Sequence, residues 1–363
     1  MIDQKNITLE WINGISRANR NADKILVEKV IRALLLLEGL VNHKIPFVFK
    51  GGTALMLHLN STKRLSIDID IILPEVPEDF DLALDLIATE QGFIRKVEQE
   101  RQVQTTIKKQ HYKFFYTPLH QTNKAEEYIL LDILLEEVHY QKLIQLPVES
   151  SFIPSTGNSL SVDIPSLEDL LGDKLTAFAP NTTGIPYFKK EDSMSMVIIK
   201  QLYDIGNLFD LIKDIEILKT TFKSFVENEL EYRMDSENPL TIANVFDDIY
   251  KTALCVVSRG TDGKGNFEEL QLGIQRVNPF IFSENYHLEK AIVHASKAAY
   301  LSTLIMHNAT RIPKFENPLQ LKDWLIGEPL NNKLNKLKKS NPEAFFYWYK
   351  IFEFSICKSP TII

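Results

Sequence analysis

Cysteine is scarce in this sequence: Cys255 and Cys357 are the two thiols among 363 residues. They do not form a C-x-x-C pair, and no cluster of further cysteine or histidine residues accompanies them. Neither a disulfide framework nor a zinc site built on thiolates is therefore expected. The scarcity fits a reducing compartment.

Long apolar runs and an excess of positive charge are lacking as well. The apolar stretch at residues 33–37 is followed at once by Glu38, far short of the roughly 20 residues that a membrane-spanning helix needs. The first residues, MIDQKNITLEWING, do not pair a basic segment with an apolar one, so no export signal is predicted. These absences predict a cytoplasmic protein without a membrane partner.

Acidic residues outnumber basic ones, 48 to 41, giving a formal net charge of −7. This balance argues against a protein that coats nucleic acid without specificity, although a local basic patch can still bind it. The 44% of hydrophobic and 25% of charged residues are ordinary for globular domains. The length predicts about two domains.

The pattern of apolar residues changes along the chain, from alternating strand-like and helical spacing to helical spacing alone. Strand-like and helical segments alternate up to about residue 215, which predicts an α+β domain at 1–215, with a mixed sheet and flanking helices. Residues 216–363 predict a mostly helical C-terminal domain. The predicted strands are 45–50, 65–72, 92–98, 103–116 and 127–137, and the predicted helices are 22–42, 53–60, 79–91, 165–178, 194–213, 215–231, 239–256, 285–307, 317–326, 330–339 and 342–355.

One stretch, KGGTALMLHLNSTKRLSIDIDI at residues 50–71, carries an unusual pattern. In an extended strand alternate side chains share a face, so Asp68 and Asp70 point together, with Cα atoms about 6.5–7 Å apart. Carboxylates at this spacing can converge on a divalent metal ion such as Mg²⁺, which prefers oxygen ligands and the phosphates of a substrate.

The pair Gly51-Gly52 lies between a predicted strand and a predicted helix. A loop without side chains that leads into a helix N-terminus lets backbone N–H groups approach a phosphate closely. The glycines and the aspartates together predict a site that holds a nucleoside triphosphate by its phosphates and its metal ions.

Two-metal phosphoryl chemistry usually needs a third carboxylate. Asp132 is the best candidate, because it stands alone in the apolar strand YILLDILL at residues 128–135. Burying a lone carboxylate is costly unless it is paired or binds a metal ion. Taken singly, a Gly-Gly turn and a D-x-D strand are usually structural; their order along the chain favours the metal site.

Three segments resemble a known family. KGGTAL at residues 50–55, followed by Arg64-x-Ser66-x-Asp68-x-Asp70, resembles the first motif of the polymerase-beta superfamily of nucleotidyltransferases, in the abortive-infection toxin branch AbiEii/AbiGii. PSLEDLLGDKLTAF at 165–178 is similar to the family's helix with an invariant lysine, here Lys174. KQLYDI at 200–205 resembles the family's R-D-x-Y-D-L segment, with lysine and glutamine in place of its first arginine and aspartate.

The resemblance implies a metal-dependent transferase that moves a nucleoside monophosphate from an NTP to an acceptor, as the toxin of a toxin-antitoxin or phage-defence pair. Some members modify the 3′ end of tRNA, so an RNA acceptor and a cognate antitoxin are implied partners. On this basis Asp68, Asp70 and Asp132 bind Mg²⁺ or Mn²⁺. The implied phosphate ligands are Gly51, Gly52, Thr53, Arg64, Ser66 and Lys174.

Several of these residues also have plain structural interpretations. Lys174 has no acidic residue three or four positions away, so it either extends to water or contacts the β- and γ-phosphates. Ser66 is equally a strand serine, and Arg64 equally a turn residue. Lys200 and Asp204, four residues apart, predict a surface ion pair.

Three further patterns leave a choice open. The eight histidines show no metal-ligand spacing and are interpreted as structural or surface residues. The aromatic residues of the segment YKFFY at 112–116 form either a base-stacking strand or, as is more usual, core. The lysines of 332–339 form either a solvated helix face or a phosphate-binding patch.

Two other functions compete with nucleotidyl transfer to RNA. The chain either transfers a nucleoside monophosphate or phosphate to a protein hydroxyl, or it is a catalytically silent binding protein that retains the fold. Retention of both aspartates and both glycines weighs against the silent protein, because converging carboxylates are costly without a ligand.

Overall fold

The computed structural model describes residues 1–59, 63–99, 108–120, 124–233 and 239–356, without the side chain of Lys108. Its residues form two compact units. The first consists of residues 1–166 together with 278–285, and the second of residues 167–277 together with the chain from 286 onward. Cys357 lies outside the described residues.

The first unit contains a five-stranded mixed sheet in the order β1-β2-β5-β4-β3. Strands β2 and β5 are parallel, and the other neighbours are antiparallel. A separate antiparallel pair, β6 with β7, follows. The bounds are β1 Val48–Lys50, β2 Ile69–Ile72, β3 Arg95–Glu98, β4 Lys108–Tyr116, β5 Glu127–Leu135, β6 Leu143–Pro147 and β7 Ser161–Pro165.

Alternation along β4 and β5 gives the sheet one core face. On this face Tyr112 and Phe114 are buried, and their rings meet those of Phe80 and Phe93 edge to face at 6.4 and 5.4 Å. Burial raises the pKa of Tyr112 to about 12, as expected for a core phenol. The helices of this unit are α1 Leu9–Ala18, α2 Lys24–Asn42, α3 Gly51–His58 and α4 Phe80–Glu90.

Residues 278–285 return to the first unit and support the segment just before β2. The N–H of Leu65 donates to the carbonyl of Phe280 at 2.7 Å, and the Ser283 hydroxyl donates to the carbonyl of Lys63 at 2.9 Å. Arg64 and Ile281 form an isolated β-bridge. The chain leading to Asp68 is therefore held by residues more than two hundred positions away.

The second unit is mostly helical. Its central helix, α10, is buried along most of its length and packs mainly against α6, α8 and α12. The bounds are α5 Leu167–Ala177, α6 Ser195–Phe209, α7 Ile215–Tyr232, α8 Ile242–Val257, α9 Phe267–Val277, α10 Leu288–Met306, α11 Asn331–Ser340 and α12 Pro342–Ile356, with the short strands β8 Phe188–Lys189 and β9 Asp192–Ser193.

The predicted α+β fold class, with a mixed sheet and flanking helices, is confirmed. The strand predicted at 65–72 begins only at Ile69; Leu65 donates its N–H to the carbonyl of Phe280 instead of to the sheet. Residues 103–107 of another predicted strand lie outside the described residues. Helices α1 and α9 were not predicted.

The helix predicted at 317–326 is wrong; the segment forms a short 3₁₀ helix, Pro318–Leu321. Side chains compete with the helical backbone here. Lys338 donates to the carbonyls of Lys322 and Trp324, at 2.6 and 3.0 Å. Asn335 accepts from the N–H of Ile326 and donates to its carbonyl.

The packing boundary falls after Ser166, whereas the sequence predicts a domain boundary near residue 215. Helices α5 and α6, at 167–209, pack against the later helices α7 and α9, so they join the helical unit. A catalytic domain formed by residues 1–215 stays a prediction about function.

Within the described part of the chain, no helix combines the length and the apolar character needed to cross a membrane.

Replacing Gly206 by alanine is expected to destabilise the second unit. The added Cβ would lie 2.1 Å from Cγ of His294, whose ring also packs against Tyr203 and Tyr286 at 5.6 and 5.4 Å between ring centroids. Overpacking of this kind costs about 1–3 kcal/mol of unfolding free energy. Denaturant unfolding measures the loss. Gly14→Ala in α1 is the control, since its Cβ meets nothing within 4 Å; an equal loss in both variants would contradict the argument.

Candidate active site

Four polar side chains form a row across the mixed sheet. Asp70 on β2 is the register partner of Lys50 on β1 and of Asp132 on β5, and Asp132 is the partner of His111 on β4. Register partners project to the same face, and neighbouring strands lie about 4.8 Å apart. The structure thus places two of the three predicted carboxylates side by side, on the face opposite the aromatic core.

His111 contacts Asp132 directly. Its Nδ1 lies 2.5 Å from Oδ1 of Asp132. The histidine side chain is 10% exposed, whereas the aspartate side chain is 31% exposed. One carboxylate oxygen of Asp132 is therefore fixed by the buried ring, while the carboxyl group remains accessible to solvent.

Gly51 begins α3 against the carboxylate of Asp70. Its φ of +83° lies in the left-handed region that favours glycine. A Cβ built at this position would lie 2.2 Å from Oδ2 and 3.0 Å from Cγ of Asp70. Both the backbone angle and the space next to Asp70 therefore require glycine.

Gly52 meets the other two polar residues of the first motif. A Cβ at Gly52 would lie 2.5 Å from the Ser66 hydroxyl oxygen and 2.7 Å from Nη2 of Arg64. Arg64 is buried and also donates from Nη1 to the carbonyl of Leu65 at 3.2 Å. The structure therefore brings Gly52, Ser66 and Arg64 together at the first turn of α3.

Thr53 connects this turn to the acidic strand. Its buried hydroxyl donates to the carbonyl of Asp68 at 2.6 Å. The bond fixes the backbone of Asp68, whose half-buried side chain lies two residues before that of Asp70. In this structure Thr53 acts as a support for the acidic segment, and a contact with phosphate stays a prediction.

The donor types suit a hard divalent cation. Asp70 and Asp132 offer carboxylate oxygens from adjacent strands, and a Cβ at Gly51 would fill the space beside Asp70. Within the described ranges, however, no three His, Cys, Asp or Glu side chains are grouped closely enough to hold a metal ion. The set Asp68, Asp70 and Asp132 accordingly stays a prediction as a group of metal ligands.

Lys174 belongs to the second unit, where it forms a buried ion pair. Its Nζ lies 2.7 Å from Oδ2 of Asp204, and the two side chains are 6% and 3% exposed. The prediction that Asp204 forms an ion pair at the surface is wrong, because Asp204 is buried and pairs with Lys174. Sequence spacing within α5 gave no sign of this partner, which comes from α6. A contact of Lys174 with phosphate stays a prediction.

Sequence reasoning missed His111 and Lys50 as members of the row. Both follow from strand register, which the spacing of residues within one strand does not contain. The aromatic segment is divided between two environments: Tyr112, Phe114 and Tyr116 are core residues, whereas Phe115 lies on the face of Asp132. Of the lysines at 332–339, which were predicted to form either a solvated helix face or a phosphate-binding patch, Lys333 on α11 pairs with Asp262.

Comparison with family profiles identifies the chain as a nucleotidyltransferase. The family profile described as nucleotidyl transferase AbiEii toxin, type IV toxin-antitoxin system, matches residues 35–268, well over half of the chain. This chain therefore belongs to the AbiEii family of nucleotidyltransferase toxins.

Solved structures of low sequence identity resemble the chain. MenT4, a nucleotidyltransferase toxin from Mycobacterium tuberculosis H37Rv, is 13% identical with a TM-score of 0.49, and the match covers 80% of this chain and 89% of that one. JHP933 from Helicobacter pylori is 13% identical with a TM-score of 0.38, covering 77% and 90%. A search of curated proteins finds no match. The family assignment rests on the profile.

Proposed function

We propose that this chain transfers a nucleoside monophosphate from an NTP to the 3′ end of an RNA, with tRNA as the expected acceptor. The observation that carries the proposal is the row formed by Asp70 and Asp132 beside Gly51, where no side chain beyond hydrogen fits. Two adjacent carboxylates and an open backbone at a helix start suit a triphosphate with its metal ions. The family implies an antitoxin as the cognate partner.

In the proposed reaction the acceptor hydroxyl attacks the α-phosphorus. The new P–O bond forms as the bond to pyrophosphate breaks, and the hydroxyl proton passes to Asp132 or to water. Asp68, Asp70 and Asp132 would hold Mg²⁺ or Mn²⁺, which supplies charge neutralisation at the phosphates. Ser66, Arg64 and the N–H groups of the first α3 turn orient the triphosphate, and positioning provides most of the acceleration.

Incubation of the protein with each α-labelled NTP, Mg²⁺ or Mn²⁺, and total RNA tests the proposal. We expect label on RNA, dependence on one preferred NTP, and loss of transfer when a chelator removes the divalent ion. Label on protein instead of RNA would indicate that the acceptor is a protein hydroxyl. Absence of label from both would contradict transfer and favour a silent binding protein.

His111 is expected to orient Asp132 in this reaction. A group that fixes a metal-ligating side chain typically contributes about 10- to 100-fold to metal affinity or activity. His111→Leu should therefore lower transfer or raise the Mn²⁺ concentration for half-activation by that factor. His111→Asn, which keeps a donor near the Nδ1 position, should retain more activity. Titration of Mn²⁺ by calorimetry gives a second readout, and equal behaviour of both variants would contradict the role.

A further inference from the structure

The face of the sheet that carries Asp132 also presents two aromatic rings. Phe115 on β4 and Tyr128 on β5 are register partners, and their ring centroids are 5.8 Å apart. Phe115 is half-buried, and Tyr128 is 36% exposed. These rings lie on the face opposite Tyr112 and Phe114, so the core does not explain them.

Three cations of the described residues lie over these rings; one of them, Nζ of Lys29, is 5.3 Å from the centroid of Tyr128. The guanidinium carbon of Arg95 is 3.6 Å from the centroid of Phe115, and Nζ of Lys113 is 4.4 Å from that of Tyr128. Arg95 pairs with Phe115 in register, which extends the surface onto β3. We name Phe115, Tyr128, Arg95 and Lys113 the aromatic platform. Its cations are notable in a chain of net charge −7.

The platform is continuous with the candidate active site. Tyr128 precedes Asp132 by four residues on one strand, so both project to the same face about 13 Å apart at the usual strand rise. Stacked nucleotides repeat at about 3.4 Å along one strand. The distance therefore corresponds to roughly four nucleotides.

We infer that the aromatic platform binds the unpaired nucleotides of the acceptor RNA that precede its reacting 3′ hydroxyl. Unpaired bases stack on aromatic rings and on guanidinium planes, while cations contact the backbone phosphates. The inference rests on the proposed function and adds the surface that holds the acceptor strand.

The chemistry favours unpaired RNA over other occupants. A peptide added to a sheet uses backbone hydrogen bonds at an edge strand, whereas the platform offers side chains on a sheet face. Duplex RNA hides the faces of its bases, so stacking rings would gain little from it. Arg95 also pairs with Glu126 at 2.6 Å, while its guanidinium carbon lies 3.6 Å from the centroid of Phe115.

Binding of an unpaired eight-nucleotide RNA tests the inference, measured by fluorescence anisotropy without NTP. Tyr128→Ala and Phe115→Ala should each weaken binding roughly 5- to 150-fold, the range for loss of one stacked base. Tyr128→Phe retains the ring and should bind as the wild type does. Phe188→Ala removes an exposed phenylalanine from β8 and should change nothing. In transfer assays the KM for RNA should rise more than kcat falls.

Arg95→Glu keeps both rings and guards against a folding defect in the alanine variants. The Arg95→Glu variant should bind the RNA more weakly, and its affinity should depend less on salt concentration. Wild-type affinity in Tyr128→Ala and Arg95→Glu, or equal losses in Phe188→Ala, would overturn the inference. A protein that labels RNA with unchanged affinity in these variants retains the proposed function without the platform. A protein that binds RNA through the platform yet transfers no label retains the platform without the proposed function.

Discussion

Asp70→Asn is expected to abolish nucleotidyl transfer while the protein remains folded. Asparagine has the same shape but removes the negative charge that faces Asp132 and the first turn of α3. Loss of a single group that stabilises developing charge costs roughly 10²- to 10³-fold in rate, and loss of a metal ligand adds to this. The reduction should appear in kcat with labelled NTP and RNA.

Asp163→Asn provides the matched control for Asp70→Asn. Asp163 is also a half-buried strand aspartate of the first unit, but it lies on β7, outside the row. Its transfer rate should stay close to that of the wild type. Unfolding of all three proteins by denaturant verifies that stability is retained. A rate for Asp70→Asn within a few-fold of the wild type would contradict a role for this carboxylate.

The local order of elements around the site could be predicted from the sequence. Strand, double glycine, helix and D-x-D strand are adjacent in the chain, and each is specified by nearby residues: the positive φ of Gly51 and the alternation of aspartate with isoleucine are local properties. The isolation of Asp132 among apolar residues was also visible. Its place next to Asp70 required the pairing of β2 with β5, which are separated by some sixty residues.

Contacts between distant elements could not be predicted. The bond from His111 to Asp132 depends on strand register, and the pair of Lys174 with Asp204 depends on how α5 packs against α6. The 3₁₀ segment at 318–321 shows the same limit. Apolar periodicity favoured a helix there, but side chains of α11 bond to the backbone after it. Apolar periodicity describes a single helix or strand, whereas these contacts depend on how two elements pack against each other.

Gly51→Ala is expected to reduce transfer far more than it reduces stability. The new methyl group would lie 2.2 Å from Oδ2 of Asp70, so the carboxylate must move by about 1 Å. A displacement of this size at a reacting centre can cost about 10²-fold in rate. The left-handed backbone angle adds about 1–2 kcal/mol of strain to the folded state. Rates with labelled NTP and midpoints of denaturant unfolding separate the two effects.

Gly92→Ala separates the backbone strain from the collision with Asp70. Gly92 has a φ of +72°, close to that of Gly51, but a Cβ there meets nothing within 4 Å. Both variants should therefore carry the backbone strain, and Gly51→Ala should lose some further free energy of unfolding through the collision with Asp70, whereas transfer should fall in Gly51→Ala alone. If both keep their activity, the space beside Asp70 has no catalytic importance. If both lose it equally, backbone strain rather than the position of the carboxylate accounts for the need for glycine.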